Sequence, residues 1–149
     1  MNNIKTKPNI GKRFIAGLVD YVIIYGLTFI LIFTIGEPND EGGYSLNGAP
    51  ALIPMLLWFI MTVGLEIGLG GTIGNSIVGL KAIPMSGTHR KLTFGESLKR
   101  HLLDPIDMFF FGLVAIVTIK NTANNQRVGD LWGGTIVVPM KSLNELNTE

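Results

Sequence analysis

The distribution of hydrophobic residues along the chain predicts two membrane-spanning helices. Residues 14–35 and residues 51–69 form nearly uninterrupted apolar runs. Helices of about 20 apolar residues are long enough to cross a hydrocarbon core of roughly 30 Å. Asp20 is the only charged residue in the first run, and a carboxylate at this depth costs about 2.5 to 3.5 kcal/mol on insertion scales. We expect this run to be a retained anchor and not a cleaved signal peptide, because it is too long and contains an aspartate.

A third apolar stretch, residues 102–119, is shorter and less regular. It contains Asp104, Pro105 and Asp107 near its start. Its uninterrupted part, residues 108–119, has about 12 positions, a length typical of a re-entrant or interfacial helix. The pattern therefore predicts an all-α membrane protein with two transmembrane helices and a third, shorter apolar helix.

The composition agrees with a multi-pass protein of the cell membrane. Of the 149 residues, 47% are hydrophobic and 15% are charged, and the mean hydropathy is +0.40. The net charge of +1 gives no indication of a nucleic-acid partner. The chain contains no cysteine, which excludes a disulfide framework, a thiolate metal site and a cysteine nucleophile. The length suits one domain, and we expect a single membrane domain over residues 1–149.

Lysine and arginine are distributed unevenly among the segments that flank the apolar runs. The N-terminal arm and residues 70–101 are basic, whereas residues 36–50 contain acidic residues and no lysine or arginine. Because short basic segments stay on the cytoplasmic side, we expect the N-terminus and residues 70–101 to be cytoplasmic. The basic residues are Lys5, Lys7, Lys12 and Arg13 in the arm, and Lys81, Arg90, Lys91, Lys99 and Arg100 in the second segment.

The basic segment between the second and third runs contains predicted elements of its own. Residues 76–83 have the composition of a strand, and a Ser-Gly turn and a second short strand follow. Thr93 with Glu96 three residues later forms a capping box, which predicts a helix that begins near Phe94. This helix is amphipathic and suited to the membrane surface.

The C-terminal part of the chain contains a second strand-like run, residues 135–138. "LKAIPM" and "TIVVPM" are both short apolar strands that end in Pro-Met, so we expect them to share a small cytoplasmic sheet. The third apolar segment would then enter and leave the membrane on one face, with a bend near Pro105. The alternative is a straight third span that places the C-terminus outside.

Two carboxylates are predicted to lie in the inner half of the membrane. Arg13 and Asp20 are seven residues apart, so they occupy nearly the same helix face, about 10 Å apart along the axis. Ala16 and Gly17 lie between them and would allow another element to approach closely. Glu66 falls near the cytoplasmic end of the second helix. Two interpretations remain open for each carboxylate, a structural or interfacial group and a functional site.

Other motifs give no indication of an enzyme, a cofactor site or a metal site. Gly64 and Gly68 form a GxxxG step that is suited to close helix packing. "GLGGTIGNS" lacks the spacing of a phosphate-binding loop, and Asn75 stands where the lysine would be needed. His89 and His101 are isolated histidines, which does not favour a metal site, and no serine has a recognisable base and orienting acid. We therefore expect no catalytic residues, no cofactor and no metal.

With these motifs in view, the chain resembles the RDD family of small membrane proteins, which is named for an arginine and two aspartates. "KRFIAGLVD" matches the first motif and gives Arg13 and Asp20, and "QRVGDLWGGTIVV" matches the last and gives Arg127 and Asp130. Between them, "GGTIGNSIVGLKAI" resembles the segment that follows the second helix of the family. One departure is Asn75, where relatives often have lysine.

The resemblance implies a membrane domain that is loosely proposed to act in transport. It directs attention to an intramembrane charge cluster of Arg13, Asp20, Glu66, Arg127 and Asp130. Carboxylates inside a membrane can exchange protons for cations, so we expect transport of a small ligand or cation. Two or three spans cannot enclose a pathway, so transport would need an oligomer or a partner protein in the bilayer. The alternative is a non-catalytic accessory, assembly or sensing module that docks a partner through its cytoplasmic face.

A further expectation concerns how the cluster tolerates Asp20. We expect both Arg13 and Arg127 to meet the Asp20 carboxylate at the inner membrane boundary, with Asp130 as the neighbour of Arg127. A guanidinium stays charged and can bind a carboxylate through two hydrogen bonds.

Overall fold

Two long apolar helices form the first part of the structure. The computed structural model describes residues 6–86 and 90–146. Helix α1, Ile10–Ile35, and the second apolar helix, Ala49–Leu69, are each long and apolar enough to cross a membrane. Within α1 only Ala16, Asp20 and Ile24 are buried, and most of its other apolar side chains are exposed, as they would be toward lipid. The expected pair of transmembrane helices is confirmed.

The connection and the second apolar helix are less regular than α1. Two short strands, β1 (Glu37–Pro38) and β2 (Tyr44–Ser45), pair antiparallel between the two helices. The second helix contains a 3₁₀ turn over Ala49–Leu52, α2 over Ile53–Phe59, a π-helical turn over Ile60–Gly64 and α3 over Leu65–Leu69. A π-helical turn inside a helix frequently accompanies a functional site. This turn directly precedes Glu66.

A short helix and a strand follow the C-terminal end of the second apolar helix. Helix α4, Ile73–Val78, begins after Thr72, whose hydroxyl accepts a hydrogen bond from the Asn75 N–H. Strand β3, Leu80–Pro84, begins after Gly79 in the left-handed region at φ 69°. The predicted strand over residues 76–83 is therefore wrong in its first half, because the Thr72 cap starts a helix there.

The next segment matches the predicted helix start but not the second strand. The Thr93–Glu96 capping box is confirmed at the start of α5, Phe94–Leu102. Residues 91–93 are not a strand. The rest of the predicted turn, residues 87–89, lies outside the described residues.

The third apolar segment is bent. Helix α5 is followed by α6, Asp104–Asp107, and by α7, Phe109–Asn121. The two arms meet at 117°. The chain leaves helical geometry at Leu103, before Pro105 as expected. The sharp departure from helical geometry comes later, at Phe110, Phe111 and Gly112, which have positive φ values of 49°, 56° and 85°.

Strand β3 pairs with a C-terminal strand in a two-stranded sheet. Helix α8, Val128–Gly133, leads into β4, Thr135–Pro139, and α9, Met140–Leu146, follows. The antiparallel register places Leu80 opposite Pro139 and Ala82 opposite Val137. This confirms the expected pairing of "LKAIPM" with "TIVVPM". The chain therefore returns to the same sheet after the bent segment, as a re-entrant hairpin would require.

Apolar side chains on the two faces of the sheet form the small core of this end of the molecule. One cluster lies on one face, and another on the opposite face with α9. The clusters are Leu80, Ala82, Leu92 and Val137, and Ile83, Ile136, Val138 and Leu143.

Candidate functional site

Asp130 lies at the centre of a buried cluster of ionic groups. It is the third residue of α8 and is fully buried. Arg13 Nη1 donates to Asp130 Oδ2 at 2.9 Å, while Arg100 Nε and Arg127 Nε lie 3.5 and 3.6 Å from Oδ1. The N–H of Arg127 also donates to Oδ2, at 3.2 Å. One carboxylate thus holds three elements of the fold together, α1, α5 and the start of α8.

The pKa of Asp130 reflects this environment. Burial alone raises the pKa of a carboxyl group, since the charged form loses its hydration. Here Arg100, Arg127 and Arg13 outweigh that effect and hold the pKa of Asp130 below its usual value. Burial likewise works against the charged form of Arg127, but Asp104, Asp130 and Asp107 raise the pKa of its guanidinium above the usual value. Both groups are therefore charged at neutral pH.

Arg100 connects this centre to Glu66 on the second apolar helix. Glu66 is fully buried, and its Oε1 lies 3.6 Å from Arg100 Nη1. Its Oε2 accepts a hydrogen bond from the Ser97 hydroxyl at 2.7 Å and lies 3.3 Å from His101 Nε2. The interpretation of Glu66 as an interfacial carboxylate in contact with headgroup water is therefore wrong, because α5 covers it completely.

His101 bridges two carboxylates. Its Nδ1 lies 2.9 Å from Asp104 Oδ2 while its Nε2 faces Glu66. Both ring nitrogens of an imidazolium are donors, so the charged form of His101 satisfies this geometry. The sequence-based description of His101 as isolated does not hold for its surroundings in the fold, because Asp104 lies three residues away and Glu66 comes from the distant second helix.

A second set of contacts surrounds Arg127. Its Nη1 lies 2.8 Å from Asp104 Oδ1, and its Nε lies 3.6 Å from Asp107 Oδ2. Asp107 accepts hydrogen bonds from the N–H groups of Val128 and Gly129, both at 2.9 Å. Asp107 thereby fixes the start of α8 against α6.

Asp20 has different partners from those that the sequence suggested. Its Oδ2 accepts a hydrogen bond from the Thr72 hydroxyl at 2.6 Å, and its Oδ1 accepts one from the Gly74 N–H at 2.7 Å. Among the described residues, the ion pairs do not include Asp20, so pairing with Arg13 or Arg127 is not observed. The physical reason is that α4 presents two donors directly to the carboxylate, and both arginines are held by other acidic groups.

Close packing accompanies this contact. A Cβ atom on Gly74 would lie 2.0 Å from the carbonyl oxygen of Ala16, so only glycine allows α4 to approach α1 so closely. The expected close approach is therefore present at Ala16. It is not found at Gly17, Gly64 or Gly68, because a Cβ on these residues meets either open space or atoms of its own helix region.

A cavity of about 110 Å³ lies between α1, α5 and the bent third segment. One wall is ionic and includes side chains from Arg13, Asp20, Arg100 and Arg127. The other wall is apolar. Its residues include Phe14, Met108, Phe111, Ala115, Ile116 and Ile119.

Acidic groups outnumber basic groups in the ionic cluster. Its described members comprise five carboxylates, three arginines and one histidine, so one negative charge is in excess when all five carboxylates are ionised and the histidine is protonated. Several buried atoms, including Arg100 Nε and Nη1, Asp104 Oδ1 and Asp130 Oδ1, have no hydrogen bond. The acidic residues are Asp20, Glu66, Asp104, Asp107 and Asp130, and the basic residues are Arg13, Arg100, Arg127 and His101.

The predicted charge cluster is therefore only part of the one observed. The structure joins Arg13, Glu66, Arg127 and Asp130 in one network and places Asp20 at the same cavity. The sequence interpretation missed four members of the cluster, namely Arg100, His101, Asp104 and Asp107. One signal was present, because "KRHLLDPID" has the same spacing of Lys-Arg and Asp as "KRFIAGLVD".

The sequence model of the RDD family matches residues 7–134, a range that includes every member of this cluster. The chain belongs to the RDD family. Neither the curated proteins nor the solved structures contain a match to it. The arginine and aspartate motifs of this RDD protein meet at the sheet end of α1, in the contact between Arg13 and Asp130.

Proposed function

We propose that this RDD protein takes part in transport across the cell membrane, and that the cavity beside the charge cluster binds a proton or a small cation. The observation that supports this most strongly is the excess of carboxylates around the cavity. A buried net negative charge is costly unless a proton or a cation neutralises it. Intramembrane carboxylates are functional-site candidates for this reason.

Asp20 is the carboxylate best suited to bind and release a proton or a cation. It lines the cavity, and its partners are the Thr72 hydroxyl and the Gly74 N–H, without a bound arginine. A neutral carboxyl group can be accommodated there, because the Thr72 hydroxyl can either donate or accept. Protonation of Asp20 therefore requires no ion pair to break.

The proposed transport requires more than one chain. Two spans and a bent segment leave the cavity between few helices, and α1 presents apolar side chains outward along most of its length. An oligomer or a membrane partner would complete the pathway. The proposal includes a cytoplasmic N-terminus, sheet and C-terminus, supported by the basic residues of the arm and of the segment that contains β3.

Ion flux in proteoliposomes tests the proposal. We expect the purified protein to carry protons or a monovalent cation, measured with an internal pH dye under an imposed gradient. Asp20→Asn should abolish flux while it leaves the midpoint of thermal unfolding nearly unchanged, because the amide can keep both hydrogen bonds. Glu41→Gln, on the exposed loop between the long helices, is the matched control and should keep full flux.

The second candidate function is a membrane accessory or sensing module without transport activity. One observation favours it. Both oxygens of Asp20 and both oxygens of Asp107 are occupied by hydrogen bonds that hold α4 and α8, which suits a structural role. Absence of flux for every cation tested, together with a partner protein that co-purifies from native membranes, would support this candidate and contradict transport.

Cysteine labelling tests the orientation, since the chain has no cysteine of its own. We expect a membrane-impermeant maleimide to label Ser45→Cys only from outside. Ser86→Cys and Lys141→Cys should be labelled only after the membrane is opened. External labelling of Lys141→Cys would contradict the cytoplasmic C-terminus.

A further inference from the structure

Two pairs of sequence segments repeat along the chain. "KRFIAGLVD" and "KRHLLDPID" each have Lys-Arg followed by an aspartate seven positions after the arginine. "TIGNSIVGLKAIPM" and "RVGDLWGGTIVVPM" share two glycines and a final Pro-Met at the same positions. Each half of the chain therefore has one segment of each kind, in the same order.

The second pair of segments adopts the same structure twice. Helices α4 and α8 have six residues each, and strands β3 and β4 have five each. Each helix joins its strand through a left-handed glycine, Gly79 at φ 69° and Gly134 at φ 64°. The two helix–glycine–strand units thus match residue for residue.

Each unit is attached to its own Lys-Arg segment by a hydrogen bond between an aspartate and a glycine. Asp20 accepts it from the Gly74 N–H at 2.7 Å, and Asp107 accepts it from the Gly129 N–H at 2.9 Å. Both glycines also lie against the backbone of their segment, since a Cβ would approach the Ala16 oxygen to 2.0 Å and the Arg100 oxygen to 2.3 Å, although the second contact lies three positions earlier in its segment than the first. The aspartate and the glycine are 54 residues apart in the first half and 22 in the second, so the connection between them is much shorter in the second half.

The contacts between the two units are reciprocal. Met85 N–H donates to the Gly134 oxygen at 2.8 Å, and Met140 N–H, at the corresponding position, donates to the Gly79 oxygen at 2.9 Å. The strand register is also symmetric about the pair Ala82 and Val137. Exchange of the two helix–glycine–strand units therefore reproduces these backbone contacts and the strand register, which is the property of a two-fold axis.

We propose that the chain consists of two copies of one Arg–Asp unit, related by a pseudo-two-fold axis through the Ala82–Val137 pair. Arg100 and Asp107 are then the second copies of Arg13 and Asp20. All four side chains line the same cavity, so the cavity lies between the two copies. Asp107 is a positioning residue, because it accepts hydrogen bonds from the backbone of α8 as Asp20 accepts one from the backbone of α4.

The duplication explains an incomplete contact of Arg100. In one copy, Arg13 meets Asp130, the third residue of α8, at 2.9 Å. The symmetric contact would join Arg100 to the third residue of α4, which is Asn75. An amide supplies no negative charge at this position. Arg100 is 97% buried as a side chain, yet its Nε and Nη1 lack hydrogen bonds, and its nearest carboxylate oxygens lie 3.5 and 3.6 Å away.

The assignment makes residue 75 the site of a second possible ion pair. A carboxylate at residue 75 would form with Arg100 the same kind of ion pair that Asp130 forms with Arg13. Whether residue 75 carries a charge therefore sets the number of direct arginine–carboxylate pairs beside the cavity.

Relocation of the carboxylate tests the proposal. The full-length protein in detergent is unfolded thermally, with the tryptophan signal as readout. Asp130→Asn should lower the midpoint by about 6 °C or more, since it uncovers buried arginine charge. Adding Asn75→Asp should recover at least half of that loss, and the recovery should disappear when Arg100→Gln is also present. Asn121→Asp, an exposed position at the end of α7, is the matched control and should give no recovery.

Two outcomes of this experiment would overturn the proposal. A second measurement tests it if the Asp130→Asn variant is poorly expressed. Failure of Asn75→Asp to recover the midpoint contradicts it, and so does a recovery that persists without Arg100. If Asp130→Asn does not accumulate, Asn75→Asp in the wild-type background decides, where the cluster already has an excess of carboxylates. Its effect on the midpoint should be clearly more favourable with Arg100 present than in Arg100→Gln, and an effect of equal size in both backgrounds would refute the duplication of the site. None of these outcomes depends on transport activity.

Discussion

The contact between Arg13 and Asp130 should dominate the stability of the charge cluster. The Asp130 side chain is fully buried and that of Arg13 is 11% exposed, and their closest atoms are 2.9 Å apart. Loss of one partner of such a pair leaves the other charge uncompensated and typically costs about 3 to 5 kcal/mol. For a chain of this size that loss corresponds to a fall of roughly 6 to 20 °C in the unfolding midpoint. Arg13→Gln and Asp130→Asn should each produce a loss in this range.

The double variant distinguishes a pair from two independent contributions. Because both charges are removed together, Arg13→Gln with Asp130→Asn should lose clearly less than the sum of the single losses, with a coupling of about 1 to 3 kcal/mol. The matched cycle uses Asp20→Asn and Arg127→Gln. Asp20 and Arg127 share no hydrogen-bond or ion-pair partner among the described residues, so their losses should add within about 0.5 kcal/mol.

Thermal unfolding in one detergent, at one protein concentration and at neutral pH, measures all six variants. Far-ultraviolet circular dichroism checks that each variant keeps its helix content before heating. Additive losses for Arg13 and Asp130 would refute the assignment of their contact as the main ion pair. A strong coupling between Asp20 and Arg127 would show that the sequence-based expectation of their pairing was correct and the observed partners of Asp20 were not.

Three further predictions concern packing, pH and a helix cap. Gly74→Ala should cost at least about 3 kcal/mol, because its Cβ would lie 2.0 Å from a backbone oxygen, whereas Gly17→Ala should be tolerated; thermal unfolding compares the two. The depressed pKa of Asp130 stabilises the fold above the ordinary value of 3.8, and this contribution is lost as the pH falls through the lower folded-state pKa. Midpoints measured from pH 7 to pH 3 should therefore fall more steeply in the wild type than in Asp130→Asn, and parallel curves would contradict this. Thr93→Ala should cost about 1 kcal/mol in the same unfolding assay, because it removes the capping box of α5.

Features that depend on neighbouring residues were predictable from the sequence. The two long apolar runs became the two long helices, because hydrophobic length is a local property that the bilayer selects. The Thr93–Glu96 cap began α5 as expected, since both of its hydrogen bonds lie within four residues. The similarity of "LKAIPM" and "TIVVPM" was enough to indicate their pairing.

The partners of the charged groups were not predictable in the same way. A charge in the sequence shows that a partner is needed but not which of several distant groups will supply it. Asp20 accepts hydrogen bonds from Thr72 and Gly74, whereas Arg13 donates to Asp130, which is 117 residues away in the sequence. The partners of Glu66 also depend on tertiary packing, because α5 packs over Glu66 and places Arg100 and His101 beside its carboxylate.

The sequence by itself determined where the chain is apolar, where the long helices and α5 lie, and which side chains carry charge. Only the tertiary structure decided how those charges are shared, because a buried ion pair depends on distances that packing sets to within a fraction of an ångström. The helix α4 shows both contributions. Thr72 caps the helix and so sets where it starts. Its position against α1 depends on Gly74, where the absence of a side chain allows the two backbones to come into contact.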